Sequence, residues 1–280
     1  MFIATLVAKD RLDAGDISAA CDLVWGTAGL VRDGVACDIQ FESDIAAARR
    51  ALETVLVGID VVVQVESDRL RRLLVADMDS TMITVECIDE LADYVGLKAE
   101  VSEVTERAMR GEIDFAGALR DRVALLAGLS EATVAECLRE RVKLMGGAKQ
   151  LVTAFRAAGG RAVLVSGGFT HFTGSVAAEI GFDRAVANRL VVKDGALTGE
   201  VEWPIVDAQT KRETLLAEAE ALGIPVSATV AIGDGANDIP MIEVAGLGVA
   251  YHAKPKTEAA ADARVRHGDL NVVRYALGLG

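Results

Sequence analysis

Cysteine and histidine are both scarce in this chain: four Cys, at positions 21, 37, 87 and 137, and three His in 280 residues. The cysteines have no Cys-x-x-Cys spacing and no histidine stands near a cysteine pair, which argues against a structural zinc site. The same scatter is expected of reduced, mostly buried thiols in a cytoplasmic protein. Long apolar runs are missing too. Glu53 and Asp60 interrupt the most hydrophobic stretch, so no uncharged segment reaches the roughly 18 residues that a membrane span needs. The first 16 residues carry no basic segment ahead of their short apolar run and no evident cleavage site, so an export signal is not expected. Positive charge is in deficit as well. Lys and Arg number 29 against 42 Asp and Glu, a net charge of −13, and this counts against a nucleic-acid partner. A small phosphorylated ligand stays open, because a few local cations can outweigh a distant global charge.

What the chain has in quantity is apolar residues, 51% of the total, enough for one large or two ordinary cores. Residues 2–7, 36–41 and 61–65 read as strands and 16–24 and 44–56 as helices, with a weak further strand near 30–31. That order, βαββαβ, is the split-βαβ pattern of ferredoxin-like α+β units. The charged stretch 66–72, with three arginines, is the natural boundary, dividing an N-terminal domain over 1–68 from a second over 69–280. Beyond it, apolar strands at 73–76, 162–165, 228–232 and 247–251 alternate with amphipathic helices. This predicts an α/β fold with a Rossmann-like parallel sheet covered on both faces. Residues 84–145 contain no convincing strand; glycines 96, 111 and 128 punctuate helical runs, and Ser130 suits a helix N-cap. A helical cap over the strand ends is expected there. Two β-like runs between 186 and 202 flank Lys193-Asp194-Gly195, a hairpin signal.

Ligands of such sheets collect at the carboxyl ends of the strands. Three of the four strands run directly into polar or glycine-rich sequence: Asp77-Met78-Asp79-Ser80-Thr81, Ser166-Gly167-Gly168 and Gly233-Asp234-Gly235-Ala236-Asn237-Asp238. Asp77 and Asp79, two apart in an extended chain, point the same way. Taken alone such a pair is more readily a turn cap. With Asp234 and Asp238 at the same edge, the four carboxylates call for a cation, and hard oxygen ligands favour Mg²⁺. Ser166 with Gly167 and Gly168 could approach a phosphate through backbone N–H groups, and Lys211 could neutralise one.

The order of these segments resembles the haloacid dehalogenase-like phosphotransferases, and more closely the phosphoserine phosphatases. Besides residues 77–83, 165–169 and 233–238, the resemblance takes in Glu86 with Ile88-Asp89-Glu90, Ala108-Met109, residues 119–123, Ala187-Asn188-Arg189 and the segment 193–199. It spans about residues 73–270. It implies hydrolysis of O-phosphoserine, the last step of serine biosynthesis, with Asp77 as nucleophile forming an aspartyl-phosphate and Asp79 as general acid and base. It implies Mg²⁺ on Asp77, the Asp79 backbone carbonyl and Asp234. Ser166, Gly167, Gly168 and Lys211 would hold the phosphoryl group, with Asp238 orienting Lys211 or a metal-bound water. Glu86 would meet the substrate ammonium and Arg122 its carboxylate; Met109 and Phe115 would close the pocket and Asn237 would contact the substrate. Related proteins can pass the phosphoryl group to another alcohol, and an idle, regulatory homologue is a third option. Phosphoserine phosphatases often carry an N-terminal extension resembling ACT ligand-binding modules, but the glycine-rich ligand turn of such modules is not clear here and no allosteric ligand is expected. A homodimer is left open.

Overall fold

The computed structural model describes residues 1–109 and 112–279, without the side chains of Ala108 and Met109. The first six elements are β1 (Phe2–Ala8), α1 (Ala14–Val24), β2 (Thr27–Ala28), β3 (Ala36–Phe41), α2 (Ile45–Val55) and β4 (Ile59–Val65). They build a four-stranded antiparallel sheet in the order β2-β3-β1-β4. Asp13 and Asp44 cap the two helices by accepting hydrogen bonds from Asp16 N and Ala47 N. Strands β1 and β4 are buried along nearly their whole length because both of their faces are covered, while β3 alternates and β2 is exposed. One face buries Ala4, Leu6, Val61 and Val63 under the two helices. Val7, Ala36 and Val62 of the other join the main core of the molecule. The strand expected near 30–31 is absent: Leu30 is 90% exposed, and the pairing with β3 is made three residues earlier, at Thr27 and Ala28.

The rest of the chain runs β5 (Leu73–Ala76), α3 (Cys87–Tyr94), α4 (Lys98–Met109), α5 (Phe115–Ala124), α6 (Glu131–Arg141), α7 (Ala148–Ala157), β6 (Arg161–Phe169), α8 (Thr170–Ile180), β7 (Arg184–Asn188), β8 (Leu190–Lys193), β9 (Ala196–Val201), α9 (Ala208–Ala221), β10 (Thr229–Gly233), α10 (Ile239–Val244), β11 (Leu247–Tyr251), α11 (Pro255–Ala260), β12 (Ala263–Val265) and α12 (Asn271–Ala276). Six of these strands form one sheet, ordered β12-β11-β10-β5-β6-β7, and the pairings are parallel. It is two strands wider than the sequence suggests. β12 is only three residues long and gives no periodic signal. β7 takes the first part of the stretch read as a hairpin into the main sheet, beside β6. The hairpin proper is β8 and β9, turned at Asp194 and Gly195, both with positive φ (52° and 78°), as the tight turns that match strand twist require.

β5 lies between β6 and β10, where the chain changes direction across the sheet. That is the place in an open parallel sheet where a crevice forms. α3 to α6 are inserted between β5 and α7. Their outward and return linkers pair as a short antiparallel ladder, Thr84 N donating to Lys143 O and Met145 N to Met82 O. The β8–β9 hairpin holds the underside of this cap through Gly128 N to Leu197 O, Leu197 N to Leu129 O and Glu131 N to Gly195 O. Ser130 caps α6 by accepting from Thr133 N. Gly111 lies outside the described residues.

Candidate active site

Asp77 leaves β5 with its backbone N–H still bonded to Ile232 O of β10, so the carboxylate stands at the sheet edge beside the β10 loop. The chain then turns tightly. Met82 N and Ile83 N both return to Met78 O, and Ser80 sits at a φ of 55°. The turn aims Thr81 Oγ1 at Asp234 Oδ1, 3.2 Å away, and Ser80 Oγ at Glu86 Oε1, 2.6 Å away. Asp207 caps α9 by accepting from Thr210 N, and Lys211 follows in the first turn. Its ammonium lies 2.6 Å from Asp77 Oδ1 and 2.7 Å from Asp238 Oδ1, fully buried. The other oxygen of Asp238 accepts from the backbone N–H of Asp234 and of Gly235. Both Asp238 oxygens are therefore engaged.

Ser166-Gly167-Gly168 does not follow the strand, as the sequence suggests, but is the last part of β6, where the register with β7 shifts. Ser166 Oγ accepts from Gly168 N. Asn188 buttresses the strand end, donating to Gly167 O at 2.7 Å and accepting from Val206 N. Gly168 is tightly surrounded, so that a side chain there would press on its neighbours. A Cβ there would come within 3.1 Å of Ser166 Oγ and 3.3 Å of Asp79 Oδ2, so this glycine allows the strand to pass close beside Asp79.

These edges enclose a cavity of about 260 Å³. Asp77, Asp79, Ser166, Gly167, Gly168, Asp234 and Asn237 line it from the sheet side, and Glu86, Phe115 and Arg122 from the cap. Lys211 and Asp238 lie below its floor. Met109 ends α4, and its side chain is outside the described residues. The cavity also meets Asp89, which the resemblance takes in without giving it a role, and Thr105 and Lys254, which the sequence does not mark. Asp89 sits one helical turn after Glu86, which was a usable signal. Lys254 follows the fourth strand, the one strand end not read as polar. Thr105 has no signal in the sequence.

Charge is crowded here. Burial pushes the Asp77 carboxyl well above the usual carboxylate range, and Asp238 adds to the rise while Lys211 opposes it. Asp79 is pushed up to about 7, first by burial and then by Glu86. Asp234 reaches about 6, through burial and Asp238. For Lys211, burial works against the charge, yet Asp238 and Asp77 outweigh it and hold the ammonium above the ordinary lysine value. Burial also lowers Arg122, against the pull of Asp89 and Glu86. Carboxylate oxygens of Asp77, Asp234 and Asp238 come within 4.8 Å of one another. Asp238 is taken up by Lys211 and two N–H groups, so Asp77 and Asp234 keep free oxygens of the hard type that a divalent cation prefers. Asp79 Oδ1 is buried without a partner. The donor set fits a metal ion.

The profile of the haloacid dehalogenase-like hydrolases matches residues 74–243. The chain belongs to that family and is an enzyme. Its resemblances within the family are narrower. A phosphoserine phosphatase of Idiomarina loihiensis is 50% identical over 198 residues, which cover 71% of this chain and 90% of the relative. The unliganded structure of a probable phosphoserine phosphatase from Vibrio cholerae has a TM-score of 0.81 at 34% identity, over 99% of this chain and 86% of that one. A structure titled as a phospho-aspartyl intermediate analogue of phosphoserine phosphatase has a TM-score of 0.68 at 39% identity, over 73% of this chain and 98% of that one.

Proposed function

We propose that the chain hydrolyses O-phospho-L-serine to serine and inorganic phosphate. One observation carries the reading: a single cavity of about 260 Å³ has carboxylates, glycine backbone and a serine hydroxyl on the sheet side and the unlike pair Glu86 and Arg122 on the cap side. A compact substrate with a phosphate at one end and an ammonium and carboxylate at the other fits that division. The similarity to phosphoserine phosphatases supports the same choice.

Asp77 attacks phosphorus; the new O–P bond forms as the P–O bond to serine breaks, giving an aspartyl-phosphate. Asp79 supplies the proton to the departing serine oxygen. It then takes one from the water that attacks the intermediate and releases phosphate. Ser166, Lys211 and the N–H groups around Gly167 and Gly168 hold the phosphoryl oxygens, with Lys211 kept in place by Asp238. Asp77, Asp234 and the backbone carbonyl of Asp79 would hold Mg²⁺, whose positive charge would offset the repulsion between nucleophile and phosphate. Glu86 meets the ammonium, Arg122 the carboxylate as a two-pronged donor, and Met109 and Phe115 close over the substrate beside Asn237. With free serine as product, the reaction would be the last step of serine synthesis. The four free thiols suit a cytoplasmic setting. Residues 1–68 and 69–280 act as two domains, with the cap at about 84–145.

The test is Arg122→Ala. It is expected to lower kcat/KM for phosphoserine about 100-fold, the scale of one lost bidentate charged contact, while changing an aryl phosphate less than about threefold. Equal losses on both esters would remove the carboxylate assignment.

A further inference from the structure

The cavity is lined by five carboxylates, Asp77, Asp79, Glu86, Asp89 and Asp234, against two cations, Arg122 and Lys254. Lys211 is buried between Asp77 and Asp238, where it can hold a phosphoryl group already seated but offers no charge at the surface. A phosphomonoester is an anion, and it must enter past those carboxylates on a chain of net charge −13. Under the reading above, Arg122 belongs to the amino-acid end. That leaves Lys254.

Its position is fixed by the backbone. Lys254 N donates to Asp234 O at 3.2 Å, while Lys254 O accepts from Thr257 N and Glu258 N at the start of α11. Pro255 follows at the first position of that helix, where a locked φ is favourable. The residue is thereby tied to the loop that carries Asp234, on the sheet side of the cavity and away from the cap. Its side chain is exposed, and among the described residues its ammonium pairs with no carboxylate.

We infer that Lys254 is a phosphoryl-capturing cation at the mouth of the site: it draws the anionic group in past the carboxylates and delivers it to the end of the cavity where Asp77 and Ser166 stand. This rests on the phosphatase reading, but not on the identity of the alcohol. An exposed ammonium on the path of a doubly charged ligand acts mainly on encounter and binding, through a field that salt screens over about 8 Å at physiological ionic strength.

The experiment compares the wild type with Lys254→Met and Lys254→Arg, all with Mg²⁺, on phosphoserine and on an aryl phosphate, over a series of salt concentrations, with inorganic phosphate as competing inhibitor. Lys254→Met is expected to raise KM about fivefold on both esters. It should weaken inhibition by phosphate by the same factor, leave kcat within about twofold and flatten the salt dependence of kcat/KM. Lys254→Arg should restore KM, phosphate inhibition and the salt dependence. An unchanged KM and salt slope would overturn the inference, as would a loss confined to phosphoserine or a loss in kcat at constant KM. Failure of the substrate reading looks different: the wild type itself would show no preference for phosphoserine, and the comparison on aryl phosphate and inorganic phosphate would still decide Lys254.

Discussion

At the scale of single residues, the site works against the stability of the molecule that carries it. Asp77 and Asp238 are buried at either side of Lys211, and burial raises the Asp77 carboxyl well above its usual range. A raised carboxylate is one whose ionised form the fold disfavours. Asp77→Asn should therefore abolish turnover while leaving Tm unchanged or higher, since Lys211 keeps Asp238 as partner. A Tm fall of more than about 5 °C would contradict this. Asp77, Asp79, Ser166 and Asp234 were legible because strand ends of a parallel sheet converge and these residues stand at three of them. Lys211 was not legible from spacing. It is one of the 29 basic residues, and only its tertiary position between two aspartates distinguishes it. Lys254 was passed over because Ala253 and Pro255 around it look like an ordinary loop.

Element by element, the sequence predicts type and order better than partnership. The helices of the first unit and the central strands lie close to where periodicity puts them, because capping aspartates and β-branched runs are local signals. Which sheet a strand joins is not local. The segment 184–201 divides between the main sheet and a separate hairpin, and nothing in its pattern marks the division at Arg189. The hairpin braces the cap, and that role depends on backbone bonds to residues 128–131 that no side-chain pattern encodes. The join between the N-terminal sheet and the larger unit is similar. Asp60 of β4, 2% exposed, accepts hydrogen bonds from the backbone N–H groups of Arg266, His267 and Gly268. Asp60→Ala leaves those donors without their acceptor. It should cost about 2–3 kcal/mol, read as a lower urea midpoint, with the activity per folded molecule little changed. A loss under about 0.5 kcal/mol would mean that the apolar contact around Val7, Ala36 and Val62, with polar contacts such as Gln64 to Ala276 O and Arg264 to Glu53, carries the join without Asp60.

For the molecule as a whole, the acidic surface and the crowded carboxylates make one demand, a bound cation before an anionic substrate. Among the described residues no helix is long and apolar enough to cross a membrane. Chelation with EDTA should remove phosphatase activity and Mg²⁺ should restore it. Activity that survives exhaustive chelation would exclude the metal assigned to Asp77 and Asp234. The central claim is the union of a phosphoryl-transfer floor with an amino-acid-recognising cap, and one measurement tests it most directly. Phosphate release is followed with Mg²⁺ from O-phospho-L-serine, phosphothreonine, a sugar phosphate and an aryl phosphate. The account predicts a kcat/KM for phosphoserine on the order of 100-fold above the sugar and aryl esters, the scale of discrimination that buried charged contacts supply. Comparable values across the four esters would keep Asp77 as nucleophile and contradict the roles of Glu86 and Arg122.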